Sequence, residues 1–343
     1  MPEFLRTYTG IGGQIAPRRA AKHAGDDYGA TAEPSWREVN WREHLHQTDI
    51  DGRPVNYVDI GQGALPPVVF IHGLGGCWQN WLENLPRLAQ DRRCIALDLP
   101  GFGESTMPAK KITVSGYADT VVALSRALNL DEPADVIGNS MGGFVAAEIG
   151  IRHADFVRRI VLGSAAGISI TNLKRRPVLT AARVTAAATN IVLARRKSLV
   201  KRPGLRHLVL AYVFRHPSRI APDLAYQIMP ASGSAGFIDA LDALTDYDFR
   251  DRLDDIKVPV LLVWGREDNL VPVEDADEFE RLIPNARKVI LEDTGHVAML
   301  ERPHTFNDLV VDFLEDDALE VAPSVDLAEG RDPEAHPAPA GRG

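Results

Sequence analysis

Val136-Ile137-Gly138-Asn139-Ser140-Met141-Gly142-Gly143 decides how this chain folds. A β-branched run ends in Gly-x-Ser-x-Gly, and helix-forming residues 144–152 follow at once. Strand in front and helix behind is the setting of a nucleophile elbow. Ser140 then sits on a sharp turn with strained backbone. The glycines two residues before and after it carry no Cβ, so strand and helix can close on each other. The hydroxyl projects from the carboxyl edge of a sheet, where the helix N-terminus favours developing negative charge. The competing reading is a glycine-rich strand–helix turn that holds a serine by chance.

Outward from the elbow, apolar strands alternate with helical stretches. Strands are expected at 68–71, 94–97, 134–138, 160–162, 258–264 and 288–291. Helices are expected at 78–90, 117–130, 144–153, near 274–282 and at 306–314. Alternation of this kind implies a mostly parallel sheet covered on both faces. Residues 43–60 alternate apolar and polar about Asp51-Gly52, the pattern of a hairpin. Residues 1–40 have little periodicity and read as a loosely ordered arm. Residues 166–250 are rich in helix formers without a clear strand, and read as a helical cap inserted into a core of 41–165 and 251–317. The segment 318–343, rich in Ala, Pro, Gly and acidic residues, reads as a disordered tail.

Four further segments fall at predicted strand ends, where catalytic groups of open α/β sheets gather. They are His72-Gly73-Leu74-Gly75-Gly76, the run from Asp98 to Ser105, Gly265-Arg266-Glu267-Asp268 and Asp293-Thr294-Gly295-His296. The order Ser140, Asp268, His296 is the nucleophile–acid–base order of such a sheet. A serine hydroxyl needs a base within hydrogen-bond reach, a role for His296, and an acid to fix the imidazole tautomer, a role for Asp268. Glu267 and Asp293 are rival carboxylates, and His72 is expected to bond loop backbone under the oxyanion site. The 98–105 run is expected to be a structural turn.

With these segments in order, the chain resembles the α/β-hydrolase superfamily from about residue 41 to 317. The resemblance implies an α/β-hydrolase fold, a mostly parallel central sheet flanked by helices with an inserted helical cap. It implies a triad of Ser140, Asp268 and His296, with the backbone N–H groups of Met141 and Leu74 as oxyanion donors. Dehalogenases and epoxide hydrolases of the superfamily carry an aspartate where this chain has Ser140, so attack on an acyl carbon is favoured. The expected function is a serine esterase or lipase acting on small acyl esters with an apolar acyl chain. The alternative is a carbon–carbon hydrolase of the meta-cleavage type, which shares Gly-Asn-Ser-Met-Gly-Gly and Trp78-x-Asn80. Leu74-Gly75-Gly76-Cys77 departs from that group's Gly-Gly-Pro-Gly run, and Val297 stands where it tends to have tryptophan. A third reading is a non-catalytic receptor on the same fold.

Composition sets bounds on partners. The formal charge is −9, with 45% apolar and 25% charged residues, which argues against nucleic-acid affinity. No zinc ligand set, nucleotide loop or dinucleotide motif is present, so no cofactor or metal is expected. Cys77 and Cys94 form no disulfide framework. Residues 1–34 lack the apolar core of a secretory signal, and a cytoplasmic location is expected. Residues 171–220 hold twelve Lys or Arg and no Asp or Glu, leaving −21 on the remainder. With apolar runs at 178–194, 208–210 and 212–214 between them, these charges make the cap a candidate contact for an anionic membrane. The competing reading is that the charges are solvated or pair with the acidic body.

Overall fold

The computed structural model describes residues 25–130, 133–172, 196–229, 234–316 and 325–327. Among the described residues nine strands form one sheet: β1 (Leu45–Ile50), β2 (Arg53–Ile60), β3 (Leu65–Ile71), β4 (Arg92–Leu97), β5 (Ala134–Asn139), β6 (Val157–Gly163), β7 (Val260–Gly265), β8 (Ala286–Leu291) and β9 (Val325–Leu327). Their order is β1-β2-β4-β3-β5-β6-β7-β8-β9. The hairpin turns at Asp51 and Gly52, both with positive φ, and pairs Ile50 with Arg53. β2 also runs antiparallel to β4, and every later pairing is parallel. Pro66 and Pro67 donate no ladder bond, and the register of β3 on β4 shifts between Leu65 and Val68.

Alternation along the central strands feeds two cores. Val69, Ile71, Val136, Leu262 and Trp264 enter one, and Val68, Phe70, Ile137, Leu261 and Val263 enter the other. Each such side chain contributes about 1.5–3 kcal/mol on burial, which fixes which face of each strand points where. The helices are α1 (Leu85–Leu88), α2 (Val114–Ala127), α3 (Met141–Arg152), α4 (Arg196–Lys201), α5 (Pro203–Leu210), α6 (Pro222–Ile228), α7 (Phe237–Asp246), α8 (Glu274–Leu282), α9 (Ala298–Glu301) and α10 (Pro303–Glu315). Helices α4 to α7 lie between β6 and β7. Among the described residues, no helix is long and apolar enough to cross a membrane.

Three expectations need correction. The predicted helix at 78–90 is broken into a 3-10 turn (Trp78–Trp81) and the short α1, because Pro86 lies in the first turn of α1 and donates no backbone bond. The arm is not loose along its whole length. Over 25–40, Tyr28, Ala32 and Trp36 are buried, and Glu83 accepts from Ala32 N and Trp36 Nε1, both at 2.8 Å. These three anchors stand four residues apart, but Gly29 and Pro34 between them break the stretch as a helix, so the spacing gives no helical signal. Within the segment read as a disordered tail, Val325–Leu327 runs as β9 beside β8, where the open sheet edge offers backbone partners.

Candidate active site

Ser140 occupies the one-residue turn between β5 and α3, with φ 56° and ψ −117°. For a residue with a Cβ this is strained backbone, and the surroundings hold it there. Ser140 N donates to Gly163 O at 3.0 Å, and Ser140 O accepts from Phe144 N at 3.1 Å and Ala166 N at 2.9 Å. The glycines are sterically required. A Cβ on Gly138 would lie 2.1 Å from Gly142 O, and one on Gly142 would lie 2.0 Å from Ile71 O. Gly142→Ala should therefore destabilise the fold by about 3 kcal/mol or yield no folded protein. Urea melts check this; a loss under about 1 kcal/mol would mean that the elbow can open.

The loops that carry Asp268 and His296 meet at the ends of β7 and β8. His296 Nδ1 lies 2.8 Å from Asp268 Oδ2, and the Asp268 carboxylate is fully buried. The other oxygen, Oδ1, accepts from Leu270 N at 2.8 Å and Val271 N at 2.9 Å. These two donors orient the carboxylate before it meets the ring. Gly265 lets the loops nest, since a Cβ there would lie 2.3 Å from Thr294 O. The rival acids are otherwise engaged. Glu267 accepts from Thr294 N at 3.1 Å, and Asp293 faces His216 Nε2 at 3.8 Å.

Asn139 brings the histidine loop to the elbow. Its Nδ2 donates to Gly163 O at 3.0 Å and to His296 O at 3.2 Å, so the residue before Ser140 grips the backbone of His296. Asn139 is not among the residues expected at the site, although a polar residue at the end of a buried apolar strand is a signal for such a role.

The His-Gly loop closes the third side. A Cβ on Gly73 would sit 3.1 Å from Ser140 Cβ, so this loop runs against Ser140. His72 Nδ1 donates to Gly73 O at 2.7 Å, and Leu99 N donates to Nε2 at 3.0 Å, a pattern that requires the neutral ring. Burial lowers the His72 pKa and keeps it neutral. Leu74 packs on the core beside it. Met141, buried, opens α3, whose first N–H groups have no intrahelical partner. The 98–105 run is a turn built on Asp98, which accepts from Trp78 N at 2.7 Å, Asn56 Nδ2 at 2.9 Å and Glu104 N at 3.0 Å.

The cap reaches this site at two points. Gly236 N donates to Gly101 O at 2.9 Å, beside Phe237, whose ring covers Gly75. At the second point His296 N donates to Val213 O at 2.9 Å. Among the described residues no group of three or more His, Cys, Asp or Glu is placed to hold a metal ion. Both cysteines are free and buried, and burial pushes the Cys77 thiol up to about 12.

Known proteins share the fold of this chain. Residues 66–303 match the family described as alpha/beta hydrolase fold. The pimeloyl-[acyl-carrier protein] methyl ester esterase of Neisseria meningitidis serogroup C is 32% identical over 74% of this chain and 94% of its own. The 2-hydroxy-6-oxo-6-(2'-aminophenyl)hexa-2,4-dienoic acid hydrolase of Metapseudomonas resinovorans is 28% identical over 77% of this chain and 88% of its own. Among solved structures, the N-acyl homoserine lactone degrading enzyme Est816 is 26% identical with a TM-score of 0.62, covering 78% of this chain and 100% of that one. The match spans more than half of the chain and agrees with its mostly parallel sheet, and the chain is a member of the alpha/beta hydrolase family.

Proposed function

We propose that this hydrolase cleaves a carboxylic ester with an apolar acyl group, through an acyl-enzyme on Ser140. The observation that carries the reading is the 2.8 Å contact of His296 Nδ1 with a buried, doubly anchored Asp268 carboxylate, on a loop that Asn139 ties to the elbow. With its Nδ1 proton directed at Asp268, the ring presents an unprotonated Nε2. That nitrogen takes the Ser140 proton as Oγ attacks the acyl carbon. The carbonyl oxygen becomes an oxyanion and accepts from the N–H groups of Met141 and Leu74; loss of one such donor typically raises the barrier by about 3 kcal/mol. The intermediate collapses as His296 gives the proton to the leaving alkoxide. Water, deprotonated by His296, then attacks the acyl-enzyme, and the carboxylic acid departs as Ser140 recovers its proton. The ester assignment follows the esterase relative, and the dienoic acid hydrolase relative supports carbon–carbon cleavage as the alternative. A panel of p-nitrophenyl esters of increasing acyl length beside a dienoate ketone separates them. Turnover of esters alone supports the first, turnover of the ketone alone supports the second, and neither supports a receptor.

The proposal extends to an anionic membrane as the surface that the cap meets. Leu208 is 58% and Tyr212 55% exposed beside the exposed Lys201 and Arg202. Other cap charges serve the cap itself. Arg206 donates to Val200 O, Pro217 O and Ser218 O, and Arg196 donates to Met229 O and lies over the Tyr226 ring. The 178–194 run, with Lys174, Arg175, Arg176, Arg183 and Arg195, lies outside the described residues. In liposome sedimentation at low salt the protein should pellet with anionic vesicles and not with neutral ones, and salt should release it. Equal, negligible binding to both would remove the membrane from the proposal.

A further inference from the structure

Glu301 is fully buried and has no part in the chemistry above, yet four donors converge on its carboxylate. Oε1 accepts from Gly295 N at 3.0 Å and Val297 N at 3.3 Å, the two residues that flank His296. Oε2 accepts from Arg215 N at 2.8 Å, in the cap segment whose Val213 O takes the His296 N–H. Tyr28 OH, from the docked part of the arm, also donates to Oε2 and in turn accepts from His216 N at 2.7 Å. Gly295 is needed for this closeness, because a Cβ there would lie 2.9 Å from both Arg215 N and Val213 O.

Resting on the serine-hydrolase reading, we propose that Glu301 is a positioning residue with two separable duties: Oε1 sets the loop that carries His296, and Oε2, with Tyr28, seats cap segment 213–216 over it. Four donors and no acceptor suit a carboxylate, not an acid or an amide. Burial pushes the Glu301 pKa up to about 7, while the hydrogen bonds from Tyr28 and from the backbone N–H groups of Arg215, Gly295 and Val297 work against that rise. Around it stand Tyr28, His216 and Asp293, with Arg219 over the Tyr28 ring at 5.2 Å.

Glu301→Gln separates the duties. The amide oxygen satisfies Gly295 and Val297, while the amide nitrogen turns to Tyr28, whose hydroxyl can rotate to accept. Arg215 N–H then faces a donor and loses its acceptor. The full-length variant should keep kcat within about 3-fold for a p-nitrophenyl ester and raise KM about 5-fold or more, since substrate is held under a loosened cap. Amide hydrogen exchange should quicken in the cap segment, at Arg215 and His216, and stay at the wild-type rate in the histidine loop, at Gly295 and Val297, whose acceptor the amide oxygen keeps. Glu301→Ala should quicken both and lower kcat as well. Exchange at both segments unchanged in Glu301→Gln, or quickened equally, would overturn the two-sided role. Because exchange needs no substrate, it decides this point even if wild-type protein hydrolyses no ester, a result that would count against the function and not against the coupling.

Discussion

Ser140→Ala should abolish ester turnover, lowering kcat by at least about 10⁴-fold, with the fold intact. Two features of the elbow make the effect large and clean. The hydroxyl is the only nucleophile that β5 and α3 present at the turn, so nothing replaces it. The substitution also removes no hydrogen bond that holds the turn, since Gly163, Phe144 and Ala166 bond the backbone of residue 140 and not its side chain. Removal of a hydroxyl from a residue at φ 56° leaves the Cβ, so the strain is unchanged. The melting temperature should move by a few degrees at most, and the oxyanion donors should still bind the ester, leaving KM within a few-fold. Near-wild-type kcat in the pure variant would mean that another group attacks the ester.

Asp268→Asn should cost about 10⁴-fold in kcat, through the tautomer and not through the fold. Oδ1 accepts from two backbone N–H groups, at Leu270 and Val271. An asparagine keeps its oxygen toward those donors and turns its NH₂ toward His296. The ring must then accept at Nδ1, which places its proton on Nε2, facing Ser140. A base already protonated on that side cannot take the hydroxyl proton. Neither neighbouring acid can substitute, because Glu267 bonds Thr294 N and Asp293 faces His216. Steady-state kinetics together with a urea melt check this: kcat should collapse while the melt stays near wild type. A loss below about 10-fold would mean that Asp268 is a loop anchor only.

What could be read from sequence follows what is local. Ser140 is announced by glycines at fixed offsets between a strand and a helix. Asp268 and His296 each close a recognisable strand, so chain order alone suggested that they would meet. His72 and Asp98 were legible for the same reason, as polar residues where apolar strands end. Glu301 was not legible, because three of its four donors are backbone groups and the fourth, Tyr28, lies 273 residues away. Its one signal is an acid closing the apolar run Val297-Ala298-Met299-Leu300, where burial is expected. The docked arm is not legible because its anchors, Tyr28, Ala32 and Trp36, recur every four residues in a stretch that Gly29 and Pro34 keep from being a helix. In the cap the charges misled in part: Arg206 reads as surface and instead satisfies the carbonyls of Val200 in α4 and of Pro217 and Ser218 in the turn after α5.

The most direct test is to treat the full-length protein with an active-site phosphonate and map the adduct by peptide mass spectrometry. A serine activated by His296 and faced by two N–H donors should be phosphonylated at Ser140, stoichiometrically and at no other residue. Labelling should be lost in Ser140→Ala and slowed by orders of magnitude in Asp268→Asn. Intact protein that fails to label, or that labels at another residue, would contradict the acyl-enzyme mechanism.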